Sequence, residues 1–252
     1  MRRALLLRGG GEPSGFSISF ENEVYAIRLR RHRQARRYTL RIHSANREVV
    51  LTMPLRGSIR QAREFAEKHG GWIAARLARL PALTPFAEGA VIPLRGIDRR
   101  IVHRPGARGT VWTADEAEER LICVAGEKPH LARRLRDFLK REAKRDLDAA
   151  SRKAAAQLGV TVKRISVRDQ LSRWGSCSST GVLSYSWRLI LAPPFVLDYL
   201  AAHEVAHLVE MNHSRRFWAL VERICPDMKR AKAWLDVHGS SLHRYGQRSA
   251  RR

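Results

Sequence analysis

The chain is short of the features that would tie it to several common classes. Its cysteines are three and widely spaced, at Cys123, Cys177 and Cys225. No C-x-x-C pair occurs, so neither a disulfide framework nor a cysteine zinc site is indicated. No apolar run approaches the length of a membrane span. The start, Met1-Arg2-Arg3-Ala4-Leu5-Leu6-Leu7-Arg8, carries only four apolar residues in a row. That is too short for a signal peptide core, so a cytoplasmic location is expected. Gly-rich phosphate loops of the Walker or dinucleotide type are missing, which counts against an ordinary nucleotide site. No internal repeat is evident. Acidic residues are few: 24 against 48 basic ones, a net charge of +24 that is nearly all arginine.

What is present is concentrated in one stretch. His203-Glu204-Val205-Ala206-His207 has two histidines four apart, hence on one face of a helix and able to reach one ion. Glu204, beside the first histidine, can take a proton from a water held by that ion. The flanks are apolar, from Phe195 to Leu200 and at Val205, Leu208 and Val209. A buried His-Glu-His cluster without a shared partner would be costly. A helix from Pro193 to Met211 is expected, closed by Asn212 in a left-handed conformation. His213 then folds back from the corner as third ligand. Glu210 lies on nearly the same face and is the rival, as a ligand or as an acceptor orienting a histidine. Ser214 is set to cap the next helix, through Phe217, Trp218, Leu220, Val221 and Ile224.

These residues, with Arg173-Trp174-Gly175-Ser176-Cys177, Trp187 through Pro194, Asn212-His213-Ser214 and Phe217-Trp218, resemble the YgjP-like family. That family consists of bacterial metallopeptidase-like proteins similar in their metal helix to SprT-type and other zincin proteases. The likeness spans about Phe16 to Gly239 and is densest after residue 165. It implies Zn2+ on His203, His207 and His213, with Glu204 as general base. Polypeptide is the expected substrate, and a UTP pyrophosphatase role is attached to the same family.

The remainder reads as α+β. Residues 1–15 lack periodicity and are expected to be disordered. Residues 16–127 form a mainly antiparallel β domain. Its one helical excursion starts at Ser58, where Ser58 and Gln61 have capping-box spacing, is interrupted at Gly70-Gly71, and ends at Pro81 and Pro85. Residues 128–243 form a zincin-like metal domain. It opens with a helix over 129–158 ended by Gly159. A hairpin follows, whose return strand runs Val182 to Leu191 with Tyr185 and Trp187 on one face. The last helix is stopped by Gly239, and the basic tail 244–252 is expected to be flexible.

Arg173 and Trp174 either line a cleft or form a packed turn, with Arg173 paired to an acid such as Asp169. Arg173, Tyr185, Tyr199 and His238 are the candidates for stabilising an oxyanion. The charge of +24 fits weak nucleic-acid or other polyanion binding, with a braced fold and a purely structural metal as the non-enzymatic alternative. An acid-free run from Arg28 to Arg41 carries seven arginines. A charged edge guarding a strand accounts for that run as well as a phosphate contact does.

Overall fold

The computed structural model describes residues 14–43, 47–80, 82–170 and 172–246. The expectations for residues 1–13, for Pro81 and for the tail beyond Gly246 lie outside the described residues. The chain divides into two compact units, Met1–Pro81 and Ala82–Arg252.

In the first unit, strands β1 (Gly15–Phe20), β2 (Glu23–His32), β3 (Thr39–His43) and β4 (Glu48–Pro54) form one sheet in the order β1-β2-β4-β3. The two hairpin pairs are antiparallel, while β2 and β4 run parallel. Alternation along β2 explains the burial: Tyr25, Ile27 and Leu29 turn inward, whereas Val24, Ala26, Arg28 and Arg30 face solvent. The inner residues pack under helices α1 (Ile59–Lys68) and α2 (Gly70–Ala78), with Ala62, Ala66 and Ile73 completing a small core. Ser58 precedes α1, but its side chain makes no capping bond. Gln61 accepts instead from the Tyr38 hydroxyl at 3.0 Å. The helix breaks at His69, one residue before the glycines. Gly70 and Gly71 lie within α2 because side chains there would run into the Phe20 ring.

The second unit holds a further sheet, β5 (Val91–Leu94), β6 (Ile97–Arg104), β7 (Val111–Glu116) and β8 (Glu119–Ala125), in the order β5-β6-β8-β7. Again the hairpins are antiparallel and the middle pair, β6 and β8, is parallel. The two sheets therefore share one topology, a repeat that the sequence does not display. Helix α3 (Leu131–Leu158) follows and ends at Gly159, whose φ of 66° supplies the left-handed stop. Leu135, Leu139 and Leu147 of α3 join Ile92, Ile101 and Ile122 of the sheet and Leu183 and Tyr185 beyond it in one core. The divide between the units thus falls at Pro81/Ala82, not near residue 127, because this sheet buries its inner face against α3.

Strands β9 (Arg164–Arg168), β10 (Gly175–Cys177) and β11 (Val182–Ser186) make a three-stranded sheet with β11 in the centre. The return strand stops at Ser186. There the Ser186 hydroxyl caps a 3-10 helix over Trp187–Leu191, so the expected alternation to Leu191 fails and all five residues are buried. Helices α4 (Pro194–Ala206), α5 (Arg215–Ile224) and α6 (Met228–His238) complete the unit. Helix α6 ends at His238 with Gly239 as its cap, as expected, but Gly239 is right-handed, at φ −55°, and leads into a 3-10 helix, Gly239–Arg244. Residues 244–246 are packed, with Tyr245 bridging to Thr84. Among the described residues no helix is long and apolar enough to cross a membrane.

Two devices seat α4. The β5–β6 turn docks on the 3-10 helix through Arg95 N to Ile190 O at 2.7 Å. Gly96 at its tip, with φ +76°, has no room for a Cβ against Pro193. Arg95 also binds Glu142 and Asp146 of α3 at 2.8 and 2.7 Å. At the other end Arg188 is 1% exposed. It pairs with Asp169 at 2.8 Å and donates to the carbonyls of Leu242 and Tyr245, so the C-terminal strap is tied to the 3-10 helix. Replacing Arg188 with leucine leaves those buried carbonyls unpaired. A loss of about 3 kcal/mol in urea unfolding is expected; a loss below about 1 kcal/mol would show the strap to be held by other contacts.

Candidate metal centre

His203 and Glu204 stand in the last turn of α4, but the helix ends at Ala206, five residues before the expected Met211. His207 is its C-cap, still right-handed at φ −64°, so the four-residue spacing is kept. Beyond it the turn tightens through Leu208 N to Val205 O and Val209 N to Ala206 O. Asn212 is not among the residues with positive φ. Its side chain accepts instead from Ser214 N at 3.0 Å, which turns the chain back. Ser214 then caps α5, accepting from Phe217 N at 3.2 Å. Those two short bonds aim His213 at α4.

The side-chain nitrogens of His203, His207 and His213 lie within 4.8 Å of one another. His203 Nε2 and His213 Nε2 are 3.1 Å apart. Two nitrogens bound tetrahedrally at ~2.0–2.1 Å from one ion stand roughly 3.3 Å apart, so the spacing fits a shared divalent metal. His207 Nδ1 donates to the Glu210 carbonyl at 3.1 Å, which fixes the tautomer and leaves Nε2 with its lone pair free. Glu210 thus serves through its backbone, and its carboxylate is not in the cluster. His203 Nδ1 is buried without a partner.

Under the cluster lies Phe217, fully buried, with His207 stacked on it at 4.5 Å and His203 and His213 edge-on at 4.9 and 4.8 Å. Trp218 flanks His213 at 5.6 Å and carries Lys232 over its ring at 4.4 Å. Sequence reasoning treated Phe217 only as packing. The signal was the Ser214 cap, which puts the third residue after it on the face of α5 turned to α4.

Glu204 is 5% exposed, and burial pushes its carboxyl up to about 7 against the opposing pull of Arg173. Burial also holds His203 down at about 4, helped by the neighbouring His207 and His213. His207 is lowered as well, chiefly by burial. Gly175 of β10 lies against Glu204: a Cβ there would sit 2.7 Å from Glu204 Cγ. The residue must therefore be glycine for the strand to reach the carboxylate.

The other candidates separate. Arg173 is exposed and does not pair with Asp169, which is taken by Arg188. Trp174 stacks on His243 at 4.9 Å, and His243, buried and unanticipated from sequence, is itself lowered to about 4 mainly by burial. Tyr185 is fully buried, its hydroxyl bonded to Ser151 at 3.0 Å, so it is not free as an oxyanion donor. Tyr199 meets His203 edge-on at 5.9 Å. His238 is exposed beside Trp234. A cavity of about 300 Å³ between α3 and α4 is lined by Arg95, Asp146, Lys153 and Asp198 but includes neither the histidines nor Glu204.

Converging imidazoles beside a buried carboxylate are the equipment of metal-dependent hydrolases. The chain belongs to the YgjP-like family, whose metallopeptidase domain matches residues 36–238. At the level of the family it is a metal-dependent peptidase. Among solved structures, the metallopeptidase zymogen of Pyrococcus abyssi abylysin aligns over 39% of this chain and 97% of its own, at 24% identity and a TM-score of 0.34. No curated protein matches the sequence.

Two outcomes follow from the cluster. His213→Ala should weaken metal binding by more than about 100-fold, and Glu210→Ala by less than about tenfold, since the latter keeps its carbonyl. Competition with a chelating dye separates them; equal losses would overturn the ligand set. The metal-free protein should also lose stability on acidification. His203, His207 and His243 are all lowered when folded, so below pH 6.5 the unfolded chain takes up protons first and stability falls until about pH 4. Glu204, raised when folded, opposes this between about 4.5 and 7. Melting temperatures over that range should fall, less so in His243→Phe, which keeps the stack on Trp174. A flat profile, or one the variant leaves unchanged, would contradict the buried neutral histidines.

Proposed function

We propose that the protein is a zincin-type peptidase in which His203, His207 and His213 hold Zn2+ and Glu204 is the general base. The observation that carries this reading is the buried Glu204 carboxylate, raised to about 7, on the turn that bears the histidines. Three neutral nitrogen donors suit zinc and leave a fourth position open. When bound, the ion supplies Lewis acidity that brings a water's pKa toward ~7 and polarises a carbonyl. A carboxylate of matching pKa can accept a proton and later give it to the departing amine, which is the pairing that general acid–base catalysis favours.

The substrate side is supported by β10. It is an edge strand of its sheet, antiparallel to β11, and its Gly175 lies on Glu204. An extended polypeptide can add to that edge by main-chain hydrogen bonds, which brings its carbonyls past the carboxylate. Arg173, which acts electrostatically on Glu204, is the remaining candidate donor to a developing oxyanion. Triphosphate hydrolysis has less behind it, since one arginine is a thin cradle for three phosphates.

Glu204→Gln should keep zinc content and melting temperature while lowering turnover by about 10²–10⁴. Unstructured polypeptides and nucleoside triphosphates would be assayed side by side. Zinc-dependent peptide cleavage lost in the variant supports the proposal. Triphosphate cleavage alone moves the activity to phosphorus, and a variant as active as wild type removes Glu204 from the chemistry.

A further inference from the structure

From Val24 to Arg63 the chain carries eleven arginines and one acid, Glu48. The fold distributes them unevenly. Arg28 and Arg30 stand on the outward face of β2 and Arg41 on that of β3. Arg28 and Arg41 share a row, each opposite Val50 of the strand between them. Two strand spacings separate them by roughly 10 Å, and Arg30 lies about 7 Å further along. At the end of the sheet where β2 and β4 finish together, Arg33, Arg36 and Arg37 in the β2–β3 connection and Arg56 in the β4–α1 turn continue the field. Arg28 is paired with Glu48 at 2.7 Å. Arg30, Arg33, Arg36, Arg37, Arg41 and Arg56 are exposed and make no ion pair among the described residues.

Two ordinary explanations fail. Charge placed to guard a sheet edge belongs on the edge strands. Here β2 is internal, the edge strand β1 carries no charge, and only Arg41, on the edge strand β3, fits that role. A general bias toward arginine would leave both sheets alike. The second sheet has the same topology, yet the cations on the outward face of β6 are answered: Arg100 by Glu119 and Arg104 by Glu116. On the first sheet Glu48 answers Arg28, and Arg30 and Arg41 of the same face are left without an acid among the described residues.

We propose that the outward face of the first sheet, with the turns at its arginine-rich end, is a docking surface for the phosphodiester backbone of duplex nucleic acid. Guanidinium groups match phosphate oxygens in geometry as well as charge. The rest of the face carries Ser17, Ser19, Thr39 and Thr52 beside the aliphatic Val24, Ala26 and Val50. Single strands are held by stacked aromatics. Phe16 and Tyr25 of the strands and Tyr38 just before β3 pack against the helix-side core, and Phe20 lies against Gly70 and Gly71 of α2, so the outer face offers no base a platform. Contacts confined to phosphates carry no sequence information. This surface is independent of the peptidase reading.

The test is fluorescence anisotropy with the full chain and two unrelated 20-base-pair duplexes, across a salt series. Six phosphate contacts give a slope of log affinity against log salt near −5, and about a 10³-fold loss between 50 and 200 mM. Arg30→Gln with Arg41→Gln should reduce that slope by about 2 and weaken binding at low salt at least about tenfold. Arg141→Gln with Lys144→Gln removes two exposed cations of α3 and should change little. Equal effects of the two pairs would overturn the assignment in favour of bulk charge. So would tighter binding of a single strand of the same length. Binding to phosphatidylserine vesicles that exceeds duplex binding, and is lost with Arg30 and Arg41, would overturn it in favour of a membrane surface.

Discussion

Three imidazole nitrogens lie within 4.8 Å of one another, a grouping that can hold one shared cation. Without one, His203 Nε2 and His213 Nε2, 3.1 Å apart, meet favourably when one neutral ring presents its N–H to the other. Burial keeps His203 neutral, since it lowers that ring to about 4. The second unit is built to maintain this arrangement. Helix α4 stops at Ala206, the next turn tightens, and Asn212 and Ser214 redirect the chain within a few residues. Phe217 then fixes all three rings from beneath. Any cation held by these three rings would bind only the folded chain, so its affinity would add to folding stability.

The same constraint shapes the surroundings of Glu204. A carboxylate raised to about 7 needs desolvation, and the approach of β10 supplies it. That approach is possible only where Gly175 presents no side chain. The glycine is in turn held by Trp174 next to it, stacked on His243 in the C-terminal strap, and the strap is tied by Arg188 to the 3-10 helix before α4. A path of packing thus runs from the last described residues to Glu204. It explains why a buried arginine and a buried histidine far from the metal in sequence belong to the same small region.

Much of this was legible in the residues. The metal motif, the Ser214 cap, the long α3 with its Gly159 stop and the eight strands before it follow from spacing and alternation. The failures are physical rather than random. The strand expected to reach Leu191 becomes a 3-10 helix because Ser186 offers a capping oxygen, and because every residue that follows is buried, so alternation carries no information there. The helix expected to reach Met211 ends early because local polar side chains, not Asn212 in a left-handed state, make the turn. Gly239 reads as a stop but adopts a right-handed conformation, since nothing in sequence tells a permitted left-handed residue from a required one. The division at Pro81/Ala82 is not legible because strand patterns reveal that a sheet exists, not which core it covers.

The two four-stranded sheets make the last point about what a fold can add to a sequence. Each has the order of two hairpins joined by a central parallel pair, and each is followed by helix. Their residues differ so far that no repeat can be read from the sequence, because a sheet specifies its topology through the period of burial and not through identities. Once the topologies are superposed in the mind, their outward faces become each other's control. One answers the outward Arg100 and Arg104 of its inner strand with Glu119 and Glu116, as a surface does when it has only to be soluble. The other leaves a contiguous set unanswered on an internal strand, a connection and an edge. Mutual repulsion among those guanidinium groups costs stability. Composition cannot explain why one chain accepts that cost on one sheet and avoids it on the other, whereas a polyanionic partner that relieves the repulsion on binding can.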